Sequence, residues 1–367
     1  MRALPSTPVD VSEGPEKRSA GAFRRVRGPA LVAAVWSMVS ALFGLYWALG
    51  GAGFPFGEGD PEPALSWFGR ATSDVGGPVI AATMGAGAVI GLVMALPLRS
   101  TVGRRVLAAA GWVLAGVLLV IVPDYRVLMG VVYAPVLAVG WPLGLVSTES
   151  VAGVYSWTVL TQIWCMAGGF AWALAALGQG RRAGGACTVC GRPAAEAGWT
   201  SRESAARWGR TAVYVSVLMP VAYCVTRWAW ALGFSLGDPT SMVAEMSPGV
   251  RLAAAFLATS GLGGAALTFG LIRPWGEVFP RWMVGLAGKR VPIMLAVVPA
   301  ALVSVLFVNA GLMYIRLFLP QVIAEPAEWG AAAPEFLFPV WGGALAVATL
   351  AYYLRRRGGC GDCGRGF

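Results

Sequence analysis

The chain of 367 residues contains no histidine and only two lysines, Lys17 and Lys289. The absence of histidine removes the commonest general base, the commonest pH switch and a frequent metal ligand. Any metal site must therefore be built from cysteine or carboxylate side chains. Charged residues are also scarce, at 13% of the chain, against roughly 25% in soluble domains. We therefore expect no enzymatic activity.

Long apolar runs dominate what the sequence does contain. Hydrophobic residues make up 57% of the chain, and runs of about 18 residues or more are typical of transmembrane helices. Inside lipid the backbone polar groups must be satisfied within the segment, which favours helices. The sequence predicts an all-α integral membrane protein in contact with the lipid bilayer. Its eight spans are about 29–50, 77–98, 105–122, 153–178, 210–233, 251–272, 291–313 and 336–354.

A ninth apolar stretch, at 127–147, decides the topology. If it does not cross, the loops on one side of the membrane hold 23 of the 28 basic residues. If it crosses, both cysteine-bearing loops described below face outward with their arginines. Because cytoplasmic loops are enriched in basic residues, we predict a re-entrant or interfacial segment at 127–147. The same rule predicts cytoplasmic termini in a bacterial plasma membrane, and it explains the positive charge without a nucleic-acid partner.

Short strings recur along the chain and indicate an internal duplication. Trp47-Ala-Leu-Gly50 returns as Trp230-Ala-Leu-Gly233, and Gly59-Asp60-Pro61 returns as Gly237-Asp238-Pro239. Each half has four spans, and an even number gives both halves the same orientation, so the repeats are parallel. The predicted order is a basic cytoplasmic tail at 1–28, a first repeat at 29–178, a cysteine-bearing loop at 179–209, a second repeat at 210–354 and a cysteine-bearing tail at 355–367.

Two Cys-x-x-Cys-Gly-Arg strings carry the strongest chemical signal. Cys187 and Cys190 follow the fourth span, whereas Cys360 and Cys363 follow the eighth. Such a turn presents two thiolates to one metal ion, and four thiolates suit zinc. Four protein ligands leave no open coordination position, so the sequence predicts a structural zinc ion. An iron or redox role, free thiols and pairing between subunits remain alternatives, and the sequence does not indicate an oligomeric state.

Arg227 lies within the fifth predicted span, beside Trp228 and Trp230. A charged residue inside a membrane segment is a functional-site hypothesis by default. The alternative is that the side chain extends to the nearby membrane surface while the tryptophans form the interfacial aromatic belt.

The loop at 273–292 alternates aromatic and charged residues and has no counterpart in the short first-half loop at 99–104. Its candidate residues are Trp275, Glu277, Arg281 and Trp282. The simpler interpretation is an elbow lying among lipid headgroups. The alternative is a gate, or a loop that docks a partner.

The paired Trp-Ala-Leu-Gly and Gly-Asp-Pro strings, together with residues 275–292, resemble patterns in uncharacterised multi-span membrane proteins of high-GC actinobacteria. The resemblance implies a membrane architecture and assigns no activity or functional residue. The duplication predicts a permease-like protein for small molecules, stapled by structural zinc, because parallel halves are an established transporter plan. The alternative is a non-transporting scaffold or signalling protein that docks a cytoplasmic protein through its zinc module.

Overall fold

The computed structural model describes residues 15–193, 198–238 and 242–366. The first fourteen residues of the predicted N-terminal tail therefore lie outside the described residues. Within the described ranges the regular structure is helical, apart from one isolated bridge between Val278 and Arg290. The α-helices are α1 Pro15–Ala48, α2 Ser73–Met94, α3 Thr101–Gly116, α4 Tyr125–Gly140, α5 Thr148–Val154, α6 Trp157–Ala183, α7 Arg202–Ala231, α8 Met242–Glu245, α9 Pro248–Phe269, α10 Ile293–Ala324 and α11 Phe338–Arg356.

Eight helical segments in the described part of the chain are long and apolar enough to cross a membrane. They are Arg27–Ala48 in α1, α2, α3 with a π-helical continuation to Ile121, α6, α7, α9, α10, and Ala333–Arg356, which comprises α11 and the turn before it. The eight predicted apolar spans are confirmed as helices of this length and composition.

Helix α10 is longer than predicted. The sequence interpretation ended this span at residue 313 because Pro320 and the acidic residues after it resemble a loop. The helix instead continues to Ala324 and ends directly before Glu325. Its 32 residues correspond to about 48 Å at 1.5 Å per residue, more than the roughly 30 Å hydrocarbon core of a bilayer.

Serine residues begin five of the described helices. A serine hydroxyl accepts a hydrogen bond from the backbone N–H three residues later, which satisfies one donor that the first turn leaves unpaired. The five capping residues are Ser100, Ser147, Ser156, Ser201 and Ser247. Local sequence therefore sets these helix starts.

Helices α1 and α7 end in the same way, at the two Trp-Ala-Leu-Gly strings. Gly50 and Gly233 have positive φ values of 86° and 88°. Both amides donate to the tryptophan carbonyl three residues earlier, at 3.0 Å in each case. The next amide in each copy donates five residues back, from Gly51 to Tyr46 and from Phe234 to Ala229. This closing turn uses a left-handed residue, the conformation that glycine adopts at little cost.

The packing order of the helices recurs in the two halves, defined here as residues 27–183 and 202–356. In the first half α1 packs on α2, α3 packs on α6, and α1 also packs on α6. In the second half α7 packs on α9, α10 packs on α11, and α7 also packs on α11. If the four long apolar helices of each half are numbered in chain order, the same pairs pack in both halves: the first with the second, the third with the fourth, and the first with the fourth.

Close helix packing within the first half depends on glycine and on tryptophan–serine hydrogen bonds. A Cβ atom on Gly91 of α2 would lie 2.8 Å from the Cβ of Ala34 in α1. The buried indole of Trp172 in α6 donates to the hydroxyl of Ser37 in α1 over 3.1 Å. These contacts hold α2 and α6 against α1.

The halves meet mainly through α10, which packs against α4 and the π-helical segment Val117–Ile121. The buried amide of Asn309 donates to the Leu119 carbonyl of that segment over 3.3 Å. Arg316 donates to the Leu65 carbonyl over 2.7 Å, and its guanidinium lies 4.8 Å from the Trp67 ring centroid. The contact between the halves is therefore centred on α10. It combines these polar groups with an apolar cluster shared by both halves, to which Leu306 and Ala310 of α10 belong.

Candidate metal centre

Two turns with the same hydrogen bonds present the four predicted cysteine ligands. The first knuckle, residues 187–192, follows α6, and the second knuckle, residues 360–365, follows α11. The N–H of Cys187 donates to the Arg192 carbonyl over 3.0 Å, and that of Cys360 donates to the Arg365 carbonyl over the same distance. The glycine after each second cysteine donates back to the first cysteine at 2.8 Å.

Each knuckle needs glycine at that position. Gly191 has φ +71° and Gly364 has φ +68°. Residues other than glycine rarely adopt this left-handed backbone conformation. The turn folds the chain back so that both cysteine side chains of a knuckle point to one side, as two ligands of one ion require.

The four cysteine sulfurs converge on a single point. All four lie within 4.8 Å of one another. Across the two knuckles, the Cys187 and Cys360 sulfurs are 3.9 Å apart, and the Cys190 and Cys363 sulfurs are 3.6 Å apart. A tetrahedral ion with metal–sulfur bonds of about 2.3 Å places its ligands about 3.8 Å apart. The cluster has the dimensions of a four-thiolate metal site, so the predicted ligand set comes together.

Arginine side chains support the backbone of both knuckles. Arg192 donates to the carbonyls of Arg357, Gly358 and Arg365, each at 3.0 Å. Arg357 in turn donates to the Cys190 carbonyl over 3.2 Å. Within the first knuckle, Arg181 donates to the Thr188 carbonyl over 3.0 Å. The positive charges surround a site whose ligands would be negative, which favours thiolates.

The cluster divides its protons unequally. Burial raises the pKa of the Cys190 thiol, but hydrogen bonds from the Arg192 backbone and from the other three thiols outweigh burial and bring this pKa to about 7. Burial, together with hydrogen bonds to the neighbouring sulfurs, raises the pKa of Cys363 to about 12. Hydrogen bonding at Cys190 therefore favours its thiolate, which is the form of cysteine that binds a metal ion.

The other two cysteines lie inside helices, away from this cluster. Cys165 is buried in α6. Cys224 is buried in α7, and its thiol donates to the Ala258 carbonyl over 3.2 Å.

Arg227 is buried and paired. Its guanidinium forms an ion pair with Glu335 and donates to the Gly330 carbonyl over 2.8 Å. It also stacks at 4.3 Å over the ring of Trp230 and at 4.8 Å over that of Tyr223. The second carboxylate oxygen of Glu335 is buried and accepts no hydrogen bond within the described residues. This pairing holds the guanidinium inside the protein.

Of the two candidate tryptophans beside it, only Trp230 faces Arg227. Trp230 is buried and donates to the Leu236 carbonyl over 2.9 Å. Trp228 is exposed and donates to the Thr259 hydroxyl over 3.3 Å. Glu335 is not among the predicted site residues, because it lies just before the eighth predicted span, at 336–354, and resembles a loop acid. Its position at the start of an apolar helical segment, Ala333–Arg356, was the sequence feature that could have indicated a buried carboxylate.

A second buried charge network lies at the same end of the bundle and was also missed. Arg126, at the start of α4, bonds both carboxylate oxygens of Asp60, at 2.6 and 2.8 Å. It also pairs with Asp124, which accepts from Gln162 over 2.7 Å. Asp60, Asp124 and Gln162 are buried. Hydrogen bonds and charge from Arg126 outweigh burial, which acts in the opposite direction, and lower the pKa of Asp60.

The loop candidates are not brought together. Glu277 forms an ion pair with Arg355 at 3.1 Å, which ties the loop to the end of α11. Trp275 lies against Gly270. Arg281 is exposed and Trp282 is 78% exposed, so both lie on the outside of the loop. These four residues do not form one site among themselves.

Comparison of the chain with family models, with curated proteins and with solved structures finds no match.

Proposed function

We propose that this protein is a permease-like membrane protein made of two parallel four-helix repeats and clasped at one end by a structural zinc ion. The proposal rests mainly on the positions of the four clustered cysteines in the chain. Two of them follow the last helix of the first half, and the other two follow the last helix of the second half. Cys187, Cys190, Cys360 and Cys363 would hold the ion. Bound there, zinc supplies a closed tetrahedral link and no reactive position.

Three observations support the duplication. The order of helix packing in the first half recurs in the second. The closing turns at Gly50 and Gly233 have matching hydrogen bonds, as do the two knuckles. Four spans per half give the repeats one orientation.

The distribution of charge supports cytoplasmic knuckles and termini in a bacterial plasma membrane. In the eight-span topology 23 of the 28 basic residues lie on the knuckle side, which is the cytoplasmic side by the positive-inside rule. The zinc clasp would then lie in a reducing compartment, where thiolates persist.

The geometry of α4 supports a segment at 127–147 that does not cross. Sixteen residues extend about 24 Å, less than the roughly 30 Å hydrocarbon core. The helix begins beside Asp60, through Arg126, and α6 begins beside the same loop, where Trp157 donates to the Gly53 carbonyl over 2.8 Å. The chain thus leaves and re-enters at one end of the bundle, as a re-entrant or interfacial segment does.

The polar groups in the contact between the halves support movement. Contacts between domains permit relative motion unless they are large and hydrophobic, and here Asn309 and Arg316 bond to backbone carbonyls of the other half beside the shared apolar cluster. A clasp at the knuckle end would act as the hinge, so that opening occurs at the opposite end. The Arg227–Glu335 pair lies there, and Tyr125 and Tyr314 meet edge to face across the halves at 5.9 Å between ring centroids. These groups would form the polar lining of a small-molecule pathway.

One observation favours the alternative, a scaffold that docks a cytoplasmic protein. The loop at 273–292 presents an exposed apolar tip beside the knuckle end, with Trp282 78% and Val284 96% exposed. Arg281 and Lys289 flank this tip and are exposed too. An exposed apolar patch with a charged rim is typical of interaction surfaces.

Metal content tests the clasp. Purified wild-type protein should contain one zinc per chain, and Cys360→Ser should lose both the zinc and part of its thermal stability. Cys165→Ala, which removes a buried thiol outside the cluster, should keep its zinc. Wild-type protein with four free thiols, or with iron in place of zinc, would overturn the zinc assignment.

Spin-label distances test the permease hypothesis separately. Leu49 and Leu232 occupy corresponding positions in the two Trp-Ala-Leu-Gly strings and are 80% and 76% exposed. Labels at Leu49→Cys and Leu232→Cys, in a variant carrying Cys165→Ala and Cys224→Ala, should show two distances in lipid nanodiscs. A single narrow distance with zinc retained would contradict transport by relative motion of the halves and would favour the scaffold.

A further inference from the structure

A crevice opens at the knuckle end of the second half, outside the metal centre and away from the contact between the halves. Its volume is about 210 Å³. It lies between α7, the segment after α9, and α11, and its walls include Gly209, Arg210, Leu271, Ala348, Ala351 and Arg355. None of the proposed zinc ligands lines it.

The crevice is narrow at its inner end, where small apolar residues of α7 and α11 face each other. Gly209 of α7 faces α11 so closely that an added Cβ atom would lie 2.5 Å from the Cβ of Ala351. The small side chains of Ala206 in α7 and Ala348 in α11 leave space beside this contact. Buried Leu271 closes one side of that space. The phenol of Tyr352, also in the wall, donates to the Gly276 carbonyl over 2.6 Å and is therefore satisfied.

Two arginines add positive charge to this crevice, whose walls combine small apolar side chains with polar atoms. Arg355 is mostly buried, donates to the Leu271 carbonyl over 2.7 Å and pairs with Glu277. Arg210 is exposed, and its Nε donates to the Ala206 carbonyl over 3.1 Å. Within the described chain Arg210 has no carboxylate partner. Two guanidinium groups against one carboxylate leave a net positive charge at the site.

We propose that this crevice binds the phosphate headgroup of an anionic phospholipid, with Arg210 and Arg355 as the cations. A guanidinium group can hold two phosphate oxygens at once. Basic pockets between transmembrane helices on the cytoplasmic side are a known setting for anionic headgroups. The crevice is smaller than the roughly 300–1,000 Å³ that drug-sized ligands occupy. Its walls combine the two arginines with apolar side chains such as Leu271 and Ile272. The apolar side chains can contact the start of an acyl chain, which free phosphate lacks.

Lipid binding should be measured on the full-length protein after delipidation in detergent. Phosphatidylglycerol should bind with one molecule per chain by native mass spectrometry and should raise the apparent unfolding temperature, whereas phosphatidylcholine should do neither. Arg210→Gln should weaken phosphatidylglycerol binding roughly tenfold, as expected for the loss of a charge-assisted hydrogen bond. Arg207→Gln is the matched control, since Arg207 is exposed on the same helix and outside the crevice, and its binding should be unchanged.

A second variant separates shape from charge. Ala206→Leu enlarges a side chain of the crevice wall without altering charge, and it should also weaken binding of phosphatidylglycerol. Metal content equal to wild type would show that each variant is folded. Equal binding of the two lipids, equal effects of Arg210→Gln and Arg207→Gln, or full stabilisation by sodium phosphate alone would overturn the proposal.

Discussion

Arg192 and Arg365 each donate a hydrogen bond to the backbone carbonyl of the other, over 3.0 and 3.3 Å. Each of these carbonyls also accepts the N–H of the first cysteine in its own knuckle. Every knuckle is thus closed by its own backbone and held by the arginine of the other half. The two arginines are not ligands themselves, but through these hydrogen bonds they fix how each knuckle orients its two cysteines.

Replacing Arg192 by alanine should weaken metal binding without removing a ligand. The substitution deletes three hydrogen bonds to the second knuckle and its approach. Loss of such supporting partners typically costs about 10–100-fold in metal affinity. Competition with a chromophoric chelator measures the change, and Arg207→Ala is the control for loss of one positive charge. Equal affinity in wild type and Arg192→Ala would show that the four cysteines alone set the geometry.

Arg227→Leu should destabilise the second half strongly. The change leaves the buried Glu335 carboxylate without its cation and two loop carbonyls without their donor. Breaking a buried ion pair in this way costs roughly 3–5 kcal/mol. The double variant Arg227→Leu, Glu335→Leu should recover much of this loss, because no unpaired charge remains. Thermal unfolding in detergent makes the comparison, and equal stability of single and double variants would refute the coupling.

Asp60 should make stability fall in acid. Its pKa is lowered in the folded protein from an ordinary value of 3.8. A lowered carboxyl pKa contributes stability above pH 3.8, and this contribution is lost as the pH falls through the folded pKa. Asp60→Asn should be less stable at neutral pH and should respond less to pH below about 4. Thermal unfolding midpoints across pH 3–7 test this, and parallel curves for the two proteins would argue against it.

Gly91→Ala should destabilise the pair of α1 and α2. The added methyl would lie 2.8 Å from the Cβ of Ala34 and 2.9 Å from its Cα, which the backbone cannot easily relieve. Overpacking of this kind costs roughly 1–3 kcal/mol. Gly85→Ala is the matched control in the same helix, because no atom lies within 4 Å of its added Cβ. That variant should be neutral or slightly more stable, because alanine favours the helix more than glycine does. A similar loss of stability in both variants would contradict a steric clash at Gly91 as the cause.

Features encoded by local composition could be predicted from the sequence. Apolar length alone located the eight helical spans, and the spacing of cysteine, glycine and arginine predicted which four thiols meet. The matching turns at Gly50 and Gly233 follow from a repeated four-residue string. Each span, turn and knuckle is specified by residues close together in the chain. The two knuckles lie 173 residues apart, and their pairing could be predicted because the same motif occurs twice.

Contacts between distant residues that share no repeated motif could not be predicted. Glu335 and Asp124 look like loop acids in the sequence, yet each is buried against an arginine. The hydroxyl of Ser37 could not be matched to Trp172 without the packing of α1 on α6. The predicted span ends at residue 313, because Pro320 and the acidic residues after it are typical of a loop, yet α10 continues through Pro320 to Ala324. In each case tertiary packing decides between local alternatives.

The separation of the ligands along the chain also sets an order of events during synthesis. Cys187 and Cys360 are 173 residues apart, and four of the eight helices long and apolar enough to cross a membrane lie between the two knuckles. An ion that needs all four thiolates can be captured only after the last helix has left the ribosome and the halves have met. Metal capture would then mark a finished and correctly assembled chain, and a chain interrupted before residue 360 would keep two exposed thiols that quality-control proteases and redox enzymes can reach.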